Sequence, residues 1–146
     1  MVSGDQMTAV KANIKTVKAG DVQKAAGDFF IFLFKKHAVL QDKFPNYKGK
    51  SFDALTGMPV FQAHTTKVVS AVFDLLETAG DAGTLNAAAK QVIADHVSRG
   101  PVSGAEYGQL FATLPAFMAS ALGGACNQAA WEAACSATAA ALKAAC

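Results

Sequence analysis

Charge is scarce in this chain. Asp, Glu, Lys and Arg make up 16% of its 146 residues while 52% are hydrophobic. Disordered segments show the opposite balance, because they hold too little apolar surface to offset the entropy of folding. Cysteine is sparse too: Cys126, Cys135 and Cys146 are the only three, and none makes a CxxC pair, which sets aside zinc and dithiol redox sites. The odd number reads as free thiols of a reduced compartment, with an exposed Cys146 able to join two chains under oxidation. No apolar stretch opens the chain as a secretory core would, and no run of about 18 apolar residues is present to span a bilayer. With Met1 retained, the expectation is a soluble, cytoplasmic chain; the alternative is an extracellular body fluid, reached after removal of a signal peptide. Internal repeats, low-complexity linkers and strand-like alternation are all missing, which excludes repeat arrays and β-sheet architectures.

The charge that is present is uneven. Residues 1–67 hold ten Lys against five Asp, and residues 68–146 hold three basic against six acidic groups. The cluster Lys35, Lys36, Lys43, Lys48 and Lys50 reads as a solvated face and a basic connecting loop, and a net charge of +2 implies no nucleic-acid partner.

Helical periods broken by Gly, Pro and Asn clusters account for most of the chain, and six or seven helices fit. The first runs from about Gln6 to Val17 and stops at Ala19-Gly20; Asp21 is a natural N-cap for a second carrying Ala25, Phe29, Phe32, Leu33 and Lys36. The period fails through "QDKFPNYKGKSFD", a basic and aromatic loop. A long helix starts near Met58, with Pro59 in its first turn where a missing N–H costs nothing, and runs to Thr78. Residues 84–98 form a shorter helix closed by "SRGP". Ser103 and Glu106 form a capping box for a helix over 104–121, and a last helix covers 128–144.

One residue in the long helix is out of place. Phe61, His64, Val68, Val72 and Leu75 recur at steps of three and four and share a face expected to meet the core. A histidine there must find hydrogen-bond partners or meet a ligand, since a buried polar group left unpaired costs ~1–3 kcal/mol. His96 lies 32 residues later, near the end of the shorter helix. Two histidines so separated make no local chelate, yet they can face each other across a gap between packed helices, wide enough for a flat cofactor. One imidazole could hold iron while its other nitrogen bonds a carbonyl in the preceding turn, and the second could donate to whatever the iron binds. Phe30, Phe44, Val68, Val92, Val102, Tyr107 and Leu110 are candidates for the apolar slot. Spacing alone leaves open whether both histidines are merely structural in a cofactor-free bundle.

The order Phe44, His64 with Lys67 and Val68, "ADHVSRGPV" around His96, and Trp131 in the last helix resembles the globins across nearly the whole chain. The likeness is to single-domain invertebrate globins such as midge-larva haemoglobins and mollusc myoglobins. It implies an all-α globin fold of about seven to eight helices, a single domain over 1–146, sandwiching haem b (iron protoporphyrin IX). It also implies roles: His96 as proximal iron ligand, His64 as distal residue with Val68 one turn on, Phe44 as the loop aromatic against the haem with Tyr47 beside it, and Phe30 facing the ligand. Lys67 and, at lower weight, Arg99 would meet haem propionates. Three positions depart from the pattern: Ala38 stands for a usual proline, Pro101 adds a residue after the proximal helix, and Ile14 replaces a common aromatic.

The function the resemblance implies is reversible O2 binding for transport or storage, with CO and NO as further diatomic ligands, in a monomer or homodimer. It implies a carrier and not an enzyme. The alternative is a haem enzyme with peroxidase or nitric-oxide dioxygenase activity, since a distal histidine can also move protons.

Overall fold

The computed structural model describes residues 2–98 and 100–146, and its helices begin where the sequence supplies caps. Helix α1 (Gly4–Ala19) opens on Ser3, whose hydroxyl accepts from the Gln6 N–H while the Gln6 side chain accepts from the Ser3 N–H. That reciprocal cap starts the helix earlier than its apolar period does. Helix α2 (Val22–Lys36) is capped by Asp21, as expected. Two five-residue helices, α3 (Ala38–Asp42) and α4 (Phe52–Thr56), overlap the two ends of the stretch read as an irregular loop; elements this short leave no period to read. Helix α5 (Pro59–Leu76) has Pro59 in its first turn. Helix α6 (Ala82–His96) begins ahead of residue 84 because the Asp81 carboxylate accepts from the Thr84 N–H, and it stops at His96 rather than 98. Gly100, at a φ of 110°, turns the chain into Pro101 as few other residues can.

Helix α7 (Gly104–Leu122) carries the expected Ser103/Glu106 capping box, and α8 (Gln128–Ala145) is capped by Asn127. Pro115 sits inside α7, where a missing N–H and a ring clash work against the helix by ~3 kcal/mol. Burial of Phe111, Leu114, Phe117 and Met118 along the same helix offsets that cost. Among the described residues there are eight α-helices and no strand: the fold is all-α, and α3 and α4 account for the elements that periodicity alone does not count.

Packing follows from the apolar faces. Helix α8 is the hub, seated against α7, α6 and α1, while α5 lies across α2. Phe29, Phe30, Phe34 and Phe61 pack edge to face between α2 and α5, a geometry that sets ring edges on π faces. Thr113 and Thr138 are buried, and each hydroxyl donates to the carbonyl one turn earlier, at 2.7 and 2.8 Å, so neither is left unpaired. The buried Asn13 joins α1 to the start of α8. Its Oδ1 accepts from Trp131 Nε1 at 3.0 Å and from the Asn127 N–H at 3.3 Å, and its Nδ2 donates to the Ala125 carbonyl at 2.9 Å.

The core face of α5 differs from the expected one. Phe61, Val72 and Leu75 are buried, but the deepest residues include Thr65, Val69, Phe73 and Leu76, and His64 and Val68 are only half-buried. The buried stripe is rotated by about one residue, which leaves His64 and Val68 on its border. Helices α5 and α6 make little contact with each other, so the two histidine-bearing helices are held by different partners, α2 and α8.

Candidate functional site

His96 is the last residue of α6, and its Nδ1 lies 2.8 Å from the Val92 carbonyl one helical turn before it. A carbonyl only accepts, so Nδ1 carries the proton and Nε2 keeps its lone pair; this is the tautomer a metal ligand needs. The Tyr107 ring meets the His96 ring edge-on, with centroids 5.9 Å apart. Tyr107 is itself buried, and burial pushes its phenol up to about 12. Its hydroxyl has no hydrogen-bond partner among the described residues, an unusual state for a buried polar atom. Val92, Val102 and Leu110 are half-buried and pack against the core.

His64 is ringed by aromatics. The centroids of Phe30, Phe44 and Tyr47 lie 6.1, 5.4 and 5.9 Å from its own, and the Tyr47 hydroxyl is 3.0 Å from its Nδ1. Burial, aided by the Lys67 ammonium, lowers the imidazole below its ordinary value, so the ring is neutral at physiological pH. Burial raises the Tyr47 phenol. Lys67 is exposed and has no carboxylate within ion-pair range among the described residues. Arg99 lies outside the described residues.

The structure therefore gathers Phe30, Phe44, Tyr47 and His64 into one cluster and Val92, His96 and Tyr107 into another. It also ties the corner after α3 to the start of α7: Lys43 forms an ion pair with Glu106 and reaches the Pro101 carbonyl at 3.4 Å. Burial works to raise the Glu106 carboxyl, but hydrogen bonds from Lys43 and from Ser103 hold it below its ordinary value. That bridge and the Tyr47–His64 bond had no local sequence signal. Each joins residues through loop paths that periodicity does not fix.

These residues fit a haem. A single imidazole has its lone pair free on Nε2, apolar side chains Val68, Val92, Val102 and Leu110 stand half-covered, and the helices bearing the two histidines pack on other elements. Among the described residues, eight helices, with one histidine closing α6 and another on α5, define an all-α protein able to hold a haem. A globin family model matches residues 27–142. Globin CTT-I/CTT-IA of Chironomus thummi thummi is 37% identical over 100 residues, 66% of this chain, and the matched stretch covers 60% of that relative's length. Globin CTT-V of Chironomus thummi piger is 28% identical over 135 residues, covering 90% of this chain and 79% of that one. The ferric myoglobin of Aplysia limacina superposes with a TM-score of 0.80 at 26% identity, covering 99% of both chains. The chain belongs to the globin family, and oxygen binding at a haem is the general function that membership supports.

Proposed function

We propose that this globin binds O2 reversibly at haem b, for transport or storage, with His96 as the proximal ligand and His64 as the distal hydrogen-bond donor. The observation that carries the reading is the 2.8 Å contact between His96 Nδ1 and the Val92 carbonyl, which leaves Nε2 as the nitrogen able to hold iron. Haem, when bound, supplies the ferrous centre that takes up a diatomic gas. The chain does the rest. His64, neutral in its aromatic surroundings, donates an N–H to the guest's partial negative charge. Phe30, Phe44 and Val68 exclude water beside it, and Val92, Val102, Tyr107 and Leu110 supply apolar wall on the proximal side. Exposed Lys67 would pair with a propionate, contributing ~0–1 kcal/mol as exposed ion pairs do, and Arg99 is the lower-weight candidate for the same role.

CO and NO fit the same pocket by size and chemistry. Small-ligand binding has a parallel in the myoglobin of Aplysia limacina, whose ferric form binds azide. Absorption spectra of the ferric, deoxy-ferrous, O2 and CO forms test the proposal together: distinct spectra with full return on deoxygenation are expected, and the lack of a Soret band after expression with haem supplied would sink it. We read the protein as a carrier, and peroxide turnover faster than O2 cycling would overturn that in favour of an enzyme. His64→Val should speed O2 dissociation about ten- to a hundredfold, since a charge-assisted hydrogen bond is worth ~1.5–3 kcal/mol. Stopped-flow release at the wild-type rate would remove His64 from the role.

A further inference from the structure

We propose that Tyr47 is a positioning residue that fixes the tautomer of His64: its hydroxyl donates to Nδ1, which puts the ring proton on Nε2, the nitrogen left free to meet a guest. The inference rests on the reading of His64 as the distal donor and adds what makes it one.

Geometry carries the argument. The Tyr47 hydroxyl lies 3.0 Å from His64 Nδ1, and Tyr47 is only 2% exposed. No other acceptor among the described residues lies within bonding distance of that hydroxyl. Either partner could in principle donate, but the two arrangements are not equivalent. If Nδ1 carried the proton, the phenol's own proton would need a second acceptor in a buried place, and Nε2 would present a lone pair to an electron-rich guest. If the phenol donates, one hydrogen bond satisfies both groups and Nε2 presents an N–H. Burial favours the neutral form of both partners, which keeps this donation in force.

Tyr47 is also held firmly enough to impose the choice. Its ring meets Phe61 edge to face at 5.3 Å and lies 5.4 Å from Phe44. Its N–H donates to the Phe44 carbonyl at 2.9 Å, and its carbonyl accepts from Gln41 Nε2 at 2.8 Å. The loop that showed no helical period thus delivers a fixed hydroxyl to the histidine of α5.

The test compares Tyr47→Phe, His64→Val and the double variant, each as the haem-loaded full chain. Phenylalanine keeps the ring and its packing, so only the hydroxyl is lost. Tyr47→Phe should speed O2 dissociation about three- to tenfold, the worth of one ordinary hydrogen bond, and should add nothing in the His64→Val background. Nitrogen NMR of the CO form should find the His64 proton on Nε2 in the parent and divided between the two nitrogens in Tyr47→Phe. An unchanged tautomer would overturn the proposal, as would equal acceleration with and without His64. If His64→Val leaves release unchanged, the distal-donor reading fails, while the NMR tautomer still decides whether Tyr47 fixes the ring.

Discussion

Replacing His96 by glycine should remove the Soret band from protein expressed with haem supplied, and millimolar imidazole should restore it. His96 closes α6, and the Val92 carbonyl orients its ring. Loss of such an orienting partner alone typically costs ~10–100-fold in metal affinity, so removal of the ligand itself should lower haem affinity on the order of a hundredfold or more. The helix should survive the change. Its buried anchors are Leu85 and Ala89, about three and two turns from the substitution, while His96 itself is only half-buried. Exogenous imidazole can enter the space left by the side chain and supply the same nitrogen, which separates lost ligation from lost fold. A band of unchanged position and intensity in His96→Gly without imidazole would show that another residue holds the iron.

Much of this site was legible because its signals are local. Val92 and His96 are four residues apart on one helix, so the expected hydrogen bond from the ligand's second nitrogen to the preceding turn follows from helix geometry alone. Asp21 and the Ser103/Glu106 box are equally local. The phase of α5 was harder: hydrophobic spacing could not tell the buried line from the border line one residue away, and the packing of α5 against α2 decided it. Tyr47 could be placed near the haem by family resemblance, yet its bond to His64 depends on the path of a 17-residue connection. Short helix α4 lies on that path, and it is too short to show a period. Asn13 stands differently. It interrupts the apolar stripe Val10, Ile14 and Val17 just as His64 interrupts its own, and the same reasoning applied to α1 would have pointed to it.

Asn13→Ala should lower the unfolding free energy by ~2–4 kcal/mol. Trp131 is fully buried, and Asn13 Oδ1 is the partner of its indole N–H at 3.0 Å. Without that acceptor the indole is left desolvated and unpaired, at ~1–3 kcal/mol. The bonds to the Asn127 N–H and the Ala125 carbonyl are lost as well, but Ala125 and Asn127 are exposed, so water takes over most of that pairing. Denaturant unfolding measures the change, at fixed protein and haem concentrations because a ligand that binds only the folded chain adds its own stability. The Trp131→Phe background isolates the mechanism. With the indole donor gone, Asn13→Ala should cost ~1 kcal/mol or more less than in the parent, the coupling expected of groups in direct contact. The CO-form spectrum should stay unchanged in Asn13→Ala, since the joint between α1 and α8 lies apart from both histidine clusters. A loss below ~0.5 kcal/mol, or one of equal size in both backgrounds, would mean that the Asn13–Trp131 bond does not hold α1 to α8.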